Sequence, residues 1–414
     1  MNNYIKLKKI THREDTLTID FETSDNLSKY FSGVPFSITY SANIDEVPDS
    51  IAAIPFVCNV LPIVWLENAT LILNELDQSF YNAIPNIKQG YIDMYPESTF
   101  AGSIEVEHIH LNHSLSSGNK AMLFSGGVDS FDTLIRHHNE CPELVMMWGA
   151  DIRYENESGW NTMYSILNQT AELFQLKPQI IRSTFRAFIN EGVLDSQYAN
   201  QLKDYWWHGI QHSIGLLGHI APLAYINSYD ILYIAATNVN TDTNIRCASH
   251  PSIDNQVRFS NCQVIHDGFT TTRQNKIKNI LEYHYLTKDR LPIHVCWETQ
   301  TGNNCCHCEK CYRTIFGILA EGGDPSLLGF DTYKTHLINS KTYLFNHNFQ
   351  LLSYFWIPIR NRFRHNYKSL SKTADYKYIR WIKNCSFKPS IYTRINKKVK
   401  NFLRRTPIYR LLKK

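Results

Sequence analysis

The chain has 414 residues, ten cysteines and a net charge of +4, and 43% of its residues are hydrophobic. A chain of this length is too long for one ordinary hydrophobic core, so we expect two or three domains. The apolar content excludes a disordered chain. Residues 1–13 are polar and lead into no apolar segment, and prolines interrupt the longest apolar stretch, residues 51–66. We therefore predict a cytoplasmic protein whose cysteines bind metal or carry out redox chemistry rather than form disulfides.

The first part of the chain, residues 1–118, is predicted to form a small α+β domain. Strand-like segments occupy residues 4–8, 17–21, 36–40 and 104–109. Residues 74–92 have the apolar periodicity of a helix. No group of catalytic residues stands out in this region.

The most informative stretch is a glycine turn between a predicted strand and a predicted helix. It consists of Ser125, Gly126, Gly127, Val128, Asp129 and Ser130. The two glycines leave backbone N–H groups open to a phosphate, while the serine hydroxyls and the helix N-terminus add donors and positive potential. Asp129 is expected to bind Mg²⁺, because a bare carboxylate would repel the phosphates.

From residue 119 onward, apolar strands alternate with amphipathic helices, which is typical of an α/β fold with a doubly wound parallel sheet. The predicted strands are residues 121–124, 144–148, 179–183 and 231–235. Such sheets bind ligands at the carboxyl ends of their strands. The segments expected along that edge are residues 125–130, 149–153, 183–186 and 237–242.

Three histidines recur in a predicted helix over residues 204–225. His208, His212 and His219 are spaced by four and seven residues, so we expect them to share one face. Several glycines lie among them and allow a close approach of another backbone or a ligand. The alternative interpretation is a tightly packed core helix with buried imidazoles.

Two polar groups follow the fourth predicted strand. Ser249, His250 and Asp254 lie in a loop that either orients a second substrate or is an ordinary connection. Arg273 and Lys276 are at positions i and i+3 of a predicted helix, residues 271–285. This basic pair is a candidate clamp for pyrophosphate, and a solvated helix face is the alternative.

Half of the cysteines lie in one short segment, residues 296–311. Cys296, Cys305, Cys308 and Cys311 have the spacing C-x8-C-x2-C-x2-C, which is typical of tetrahedral zinc. Four thiolates complete the coordination sphere, so the predicted zinc is structural. A pairing that uses the neighbouring Cys306 or His307 is an alternative, and so is a redox role for the CxxC pairs.

The last part of the chain, residues 331–414, is predicted to be a helical basic extension. Residues 391–414 contain nine Lys or Arg, no acidic residue and several aromatic residues. This composition suits an anionic partner, either nucleic acid or a membrane surface. A solvated C-terminal helix is the alternative.

The run Ser-Gly-Gly-Val-Asp-Ser at residues 125–130 resembles the signature of the PP-loop ATP pyrophosphatases, which have an adenine nucleotide alpha hydrolase-like fold. These enzymes split ATP into AMP and pyrophosphate by adenylating an oxygen of their substrate. With the cysteine segment included, residues 119–330 are similar to the 7-cyano-7-deazaguanine synthase family of queuosine biosynthesis. Residues 247–251 depart from that family's Gly-Tyr-Pro-Asp-Cys-Arg segment, so the resemblance supports ATP activation more strongly than a deazapurine substrate.

The resemblance implies a ligase that uses ATP, Mg²⁺ and Zn²⁺ and converts a small-molecule carboxylate into an acyl-adenylate. Ammonia or an amine then displaces AMP to form an amide or nitrile. It also implies that adenine contacts the backbone near residues 148–151, with Asp151 in the binding segment. Asp129, Ser130, Arg273 and Lys276 are the expected catalytic residues.

Three other functions remain open at the level of sequence. One is a ligase of the same class that acts on a sugar or a protein, encoded in a polysaccharide or defence gene cluster. Another is a tRNA sulfur transferase, for which Cys247 is the candidate reactive cysteine. The third is a non-enzymatic module that binds zinc and nucleotide, and the intact Asp129 and Ser130 favour an enzyme over this one.

Overall fold

A computed structural model describes residues 3–112, 117–237, 239, 246–299 and 301–387. The chain divides near residue 272 into two compact units, and the first also includes a short segment around Gly302. The boundary predicted after residue 118 lies between two strands of a single sheet in the first unit.

The centre of the first unit is a mixed sheet of eleven strands, counted over the described residues. In chain order they are β1 (Tyr4–Arg13), β2 (Thr16–Thr23), β3 (Phe36–Tyr40), β4 (Thr70–Asp77), β5 (Ser103–His110), β6 (Asn119–Leu123), β7 (Glu143–Trp148), β8 (Pro178–Ser183), β9 (Tyr229–Ala235), β10 (Arg258–Phe259) and β11 (Cys262–Asp267). Their order across the sheet is β10-β11-β9-β6-β7-β8-β3-β2-β1-β4-β5.

Five neighbouring strands of this sheet are parallel, namely β11, β9, β6, β7 and β8. The chain runs outward from β6 through β7 to β8 and then returns to the other side of β6 with β9 and β11. The strand order therefore reverses beside β6. The carboxyl ends of β6 and β9 border the crevice where open α/β sheets bind ligands.

The predicted α/β class with parallel core strands is confirmed, but the sheet is larger and more mixed than expected. β3 pairs antiparallel with β8, with Ile38 opposite Ser183. Through this pairing the strands of residues 4–110 extend the same sheet instead of forming a separate one.

The described residues contain eight longer helices, five in the first unit and three in the second. In the first unit they are α1 (Ile54–Leu66), α2 (Gln78–Met94), α3 (Val128–His137), α4 (Glu157–Phe174) and α5 (Glu191–Leu202), and in the second α6 (Arg273–Thr287), α7 (Glu309–Ala320) and α8 (Ser353–His365). Short helical segments are Asp25–Ser28, Asp49–Ala52, His138–Glu140, Phe185–Phe188, Trp207–Gln211, Ile214–Leu217, Gly218–Ile220, Ala221–Ile226, Pro251–Asp254, Pro325–Leu328, Tyr333–Leu337, Ser340–Asn346, Phe349–Leu352, Tyr367–Leu370, Tyr376–Ile379 and Arg380–Asn384.

The apolar stretch in residues 51–66 becomes helix α1, which is buried in the core of the first unit along nearly its whole length. Over the ranges that the structure describes, no helix has both the length and the apolar character needed to cross a membrane.

The helix predicted over residues 74–92 begins later than expected. Residues up to Asp77 belong to β4, which pairs with β1 and β5 and was not predicted. The Asp77 carboxylate accepts a hydrogen bond of 3.0 Å from the backbone N–H of Phe80. This N-terminal cap fixes the start of α2 at Gln78.

The prediction of a single helix over residues 204–225 is wrong. The segment begins with a π-helical turn, Trp207–Gln211, and Ser213 then leaves helical geometry with φ −105° and ψ −92°. Close packing against α1 accompanies this break, because a Cβ atom on Gly218 would lie 2.6 Å from Cys58 Sγ. Such π-turns occur often at functional sites.

Two predicted features lie partly or wholly outside the described residues. Of residues 237–242, expected at the carboxyl edge of the sheet, only Thr237 and Val239 are described. After residue 330, separate helices occur up to Asn384, and the basic segment 391–414 lies outside the described residues.

Candidate nucleotide, thiol and metal sites

The predicted phosphate loop joins β6 to α3 at the carboxyl edge of the parallel strands. The backbone N–H of Phe124 donates a 2.8 Å hydrogen bond to Val145 O, so β6 stays beside β7 up to the loop. Gly126 then takes a φ of 70°, a left-handed conformation that strains residues with a Cβ atom. Gly127 is extended and precedes the first turn of α3.

The two serines of the loop lie close together. Ser130 Oγ donates a hydrogen bond of 3.0 Å to Gly127 O and lies 3.4 Å from Ser125 Oγ. Ser125 is exposed, Asp129 is half-buried in the first turn of α3, and Val128 is buried beneath them. The loop thus combines two neighbouring hydroxyls with a helix N-terminus, and its first turn carries the Asp129 carboxylate. These groups suit phosphate and Mg²⁺.

A carboxylate that the sequence did not single out anchors the helix behind this loop. Asp267, the last residue of β11, accepts hydrogen bonds from Thr133 Oγ1 at 2.7 Å and from Arg136 Nη1 at 2.8 Å. Arg136 Nε also donates to the buried Asp132 at 3.0 Å. Burial by itself would raise the pKa of Asp267, but the hydrogen bonds from Arg136 and Thr133 outweigh it and lower the pKa to about 2.

The segment expected near adenine follows β7. Gly149 has a φ of 108°, and a Cβ atom there would lie 2.0 Å from Ser183 O, so β7 and β8 approach each other too closely for any other residue. Trp148 Nε1 donates a hydrogen bond of 3.0 Å to Arg153 O, and Asp151 is exposed in the turn between them. Asp151 thus lies beside the strand that carries the loop, and its binding role stays a prediction.

The three histidines do not share one environment. His219 is fully buried, and its ring nitrogens contact Ser183 Oγ at 2.9 Å and Gly215 O at 2.6 Å, so it is a core residue. His208 and His212 instead lie beside the side chain of Cys247.

Cys247 and His208 form a charged pair. Burial would raise the pKa of the Cys247 thiol, but the hydrogen bonds from His208 and His212 outweigh burial and lower it to about 6. The hydrogen bond from His208 Nδ1 to Asp204, together with the contact to Cys247, raises the pKa of His208 to about 10. At neutral pH the pair is therefore a thiolate and an imidazolium.

The polar loop after β9 is mainly structural. Asp254 is fully buried and accepts hydrogen bonds from Ser249 Oγ at 2.9 Å, from His266 Nδ1 at 2.7 Å and from Ser213. His250 Nδ1 accepts a hydrogen bond of 3.1 Å from Ser252 N and caps the short helix Pro251–Asp254. These contacts favour the interpretation of the loop as a connection.

In the second unit, the four predicted zinc ligands come together. The sulfur atoms of Cys296, Cys305, Cys308 and Cys311 all lie within 4.8 Å of one another. The distance between the sulfurs of Cys296 and Cys308 is 4.0 Å, and that between Cys305 and Cys311 is 3.8 Å. Four sulfurs bound at about 2.3 Å to a tetrahedral zinc ion are about 3.8 Å apart, so the group fits zinc.

Backbone N–H groups support the same assignment. Cys308 N donates to Cys305 Sγ at 3.2 Å, and Cys311 N donates to Cys308 Sγ at 3.4 Å, as expected for sulfurs that carry negative charge on a metal. Cys306 Sγ contacts Asn304 O, and His307 Nδ1 donates to Cys305 O. These two side chains are not part of the group.

The basic pair Arg273 and Lys276 also lies in the second unit, on α6. Arg273 Nη2 donates a hydrogen bond of 3.4 Å to Thr314 Oγ1, and Lys276 is only 1% exposed. The burial of Lys276 argues against a solvated helix face. The role of the pair as a pyrophosphate clamp stays a prediction.

Comparisons of the chain with protein-family models, with curated proteins and with solved structures each gave no match.

Proposed function

We propose that the chain is an ATP-dependent enzyme that adenylates a substrate carboxylate and releases pyrophosphate. The observation that carries this proposal is the loop at residues 125–130, which lies at the N-terminus of α3 where the strand order of the sheet reverses. Backbone N–H groups and a helix dipole at that position favour phosphate. The loop lacks the Gly-Lys-Ser/Thr of a Walker A motif, which favours cleavage next to the α-phosphate over transfer of the γ-phosphoryl group.

Each residue of the loop has a distinct part in this mechanism. The backbone N–H groups of Gly126 and Gly127 and the hydroxyls of Ser125 and Ser130 bind the phosphates of ATP and stabilise the charge that develops on the leaving pyrophosphate. Asp129 holds Mg²⁺, which supplies positive charge to the phosphate oxygens when it is bound.

The reaction proceeds in two displacements. A carboxylate oxygen of the substrate attacks the α-phosphorus of ATP, and the bond to the bridging oxygen breaks as pyrophosphate leaves. Ammonia or an amine then attacks the carbonyl carbon of the acyl-adenylate, and AMP departs with the electron pair of the C–O bond. The product is an amide, from which further activation of the amide oxygen leads to a nitrile.

The four-cysteine group supports a structural role for zinc in the second unit. Its four thiolates leave no open coordination position for water, so the ion supplies stability and takes no part in proton or group transfer. Cys308 is also the N-cap of α7, so the ion fixes the start of that helix.

The test is a measurement of the products formed from ATP by the full-length, zinc-loaded protein. Reactions contain ammonium chloride with 7-carboxy-7-deazaguanine, and parallel reactions contain a small-molecule cell extract as a source of other carboxylates. We expect AMP and pyrophosphate, and Asp129→Ala should lower their formation about 100-fold or more. Asp93→Ala is the matched control, because Asp93 is an exposed carboxylate on α2.

Two results would contradict the proposal. Formation of ADP and phosphate would show that the loop directs attack to the γ-phosphate. Turnover that is equal in the Asp129→Ala and wild-type proteins would show that the loop is not the nucleotide site.

A further inference from the structure

A second reactive group lies in the first unit, outside the loop at residues 125–130. The side chain of Cys247 is 5% exposed, and both His208 and His212 lie beside its sulfur. The backbone N–H of Ala248 donates a 3.2 Å hydrogen bond to His208 O, which holds the cysteine against the π-helical turn. His208 Nδ1 in turn pairs with Asp204. A thiol, an imidazole and a carboxylate thus follow one another in the arrangement of an activated nucleophile.

The position of this group is fixed by contacts that lead to the carboxyl edge of the parallel strands. The Trp207 ring lies edge-on to His212, at 5.0 Å between ring centres. The guanidinium of Arg186, three residues after β8, lies 4.1 Å from the centre of the Trp207 ring. Arg186 Nη1 also donates a 2.9 Å hydrogen bond to Ala150 O, two residues after β7. The cysteine therefore lies along the same edge as the loop that follows β6.

Two comparisons within the chain argue for a nucleophile. In the part of the chain that the structure describes, the candidate metal group consists of four cysteines of the second unit, and Cys247 is not a member of it. Cys58 and Cys262 are also buried in the first unit, yet burial raises the pKa of both thiols. Cys247 differs from them because imidazoles oppose the effect of burial.

We propose that Cys247 accepts the acyl group of the adenylated substrate as a thioester, which the nitrogen nucleophile then cleaves. This inference rests on the proposed function for the origin of the acyl-adenylate. It adds a covalent intermediate and a second catalytic group, Cys247 with His208 as the imidazolium that stabilises its thiolate and Asp204 as the residue that positions His208.

The step balances without an oxidant or reductant. At neutral pH His208 already holds the proton of the Cys247 thiol, and the Cys247 thiolate attacks the carbonyl carbon of the acyl-adenylate. The C–O bond to the phosphate breaks, and AMP leaves with its electron pair. Ammonia or an amine next attacks the thioester carbon, the C–S bond breaks, and the sulfur leaves as the thiolate paired with the His208 imidazolium. The attacking nitrogen then loses one proton to water. Water has access to the site because the His208 side chain is half-exposed.

The test uses acetyl-adenylate as the acyl donor, because it bypasses the ATP step and needs no knowledge of the natural substrate. The full-length protein is mixed with this probe, and acetylated cysteines are quantified by peptide mass spectrometry before and after neutral hydroxylamine, which cleaves thioesters. We expect Cys247 to be acetylated at least tenfold faster than the exposed Cys141, which serves as the internal control. His208→Gln should slow the acetylation of Cys247 at pH 7 by at least tenfold.

The wild-type protein gives a second readout that does not depend on any variant. The rate of alkylation of Cys247 by iodoacetamide should level off near pH 6, whereas an ordinary thiol levels off near 9. A plateau near 9, or acetylation of Cys247 no faster than that of Cys141, would overturn the inference. Isolation of a Cys247 persulfide in place of a thioester would also overturn it and indicate sulfur transfer.

The outcomes separate this inference from the proposed function. If AMP and pyrophosphate form from ATP but the probe does not acetylate Cys247, the proposed function is supported and the thioester intermediate is contradicted. Acetylation of Cys247 in a protein that forms no AMP from ATP, with any carboxylate supplied, overturns the proposed function and removes the adenylate as the acyl donor.

Discussion

Thr133 Oγ1 donates a hydrogen bond of 2.7 Å to the carboxylate of Asp267, 134 residues later in the chain. Thr133 lies on α3, directly behind the loop at residues 125–130, and Asp267 ends β11. Because β11 is separated from β6 only by β9, this contact ties the helix of the candidate nucleotide site to the far side of the parallel sheet. The geometry of the loop therefore depends on a strand that is distant in sequence.

We expect Asp267→Asn to lower the free energy of unfolding by about 2–4 kcal/mol, because the substitution leaves the charge of Arg136 without its nearest partner. Urea unfolding measures this change. Asp93→Asn, a substitution of an exposed carboxylate, should change the free energy by less than about 0.5 kcal/mol. In a double-mutant cycle with Thr133→Val, a coupling energy near zero would contradict the hydrogen bond between these side chains.

The cysteine group leads to a prediction about metal content. Cys308→Ser should lower zinc affinity by about tenfold or more, because it removes one of four ligands, while Cys306→Ser should keep one zinc ion per chain. Elemental analysis of the purified proteins measures both. The two cysteines are buried to the same extent, at 1% exposure, so the second variant is a matched control for burial. Equal loss of zinc from both variants would mean that the ligand set is different.

The parts of the molecule that sequence predicted well are local. The loop at residues 125–130 and the cysteines at residues 296–311 are short runs in which the spacing itself fixes the geometry, so each could be recognised before its surroundings were known. The apolar strands β6 to β9 were also predicted, because buried parallel strands are continuous apolar runs bounded by turns.

The features that sequence did not predict depend on contacts between distant residues. Nothing in the pattern of β3 indicates that it pairs with β8 and joins the first strands to the main sheet. In the sequence, Asp267 is a single carboxylate at the end of a short strand, and only the structure shows that it pairs with Arg136. Cys247 was noted in the sequence only as a candidate reactive thiol, because the π-helical turn that brings His208 to it was predicted as regular helix.

Gly149 gives a prediction about the edge of the sheet. Gly149→Ala should destabilise the protein by at least about 2 kcal/mol, since the new Cβ atom would lie 2.0 Å from Ser183 O at a φ of 108°. Gly118→Ala is the matched control, because Gly118 also has a positive φ, 75°, but has no atom within 4 Å of the Cβ position. We expect the control to lose only about 1 kcal/mol from backbone strain. Thermal unfolding of the two variants compares them, and equal losses would show that β7 and β8 do not approach so closely.

His219 gives a prediction about pH. Burial lowers the pKa of His219 to about 4, below its ordinary value of 6.5, even though its ring donates a hydrogen bond to Gly215 O. Between these two values the unfolded chain binds a proton that the folded chain does not, so the free energy of unfolding increases as the pH rises from 4 to 6.5. The shift corresponds to about 3 kcal/mol, which is fully present above pH 6.5 and is lost as the pH falls through 4.

The measurement is urea unfolding at several pH values between 4.5 and 7.5. In the His219→Gln variant, the glutamine amide can hydrogen-bond to Ser183 and Gly215 but does not titrate. The difference in the free energy of unfolding between wild type and variant should therefore shrink as the pH falls. His108→Gln is the control, because His108 is an exposed histidine on β5 and its replacement should leave the pH dependence as in the wild type. If His219→Gln has the same pH slope as the wild type, the buried imidazole is not the group that makes stability depend on pH in this range.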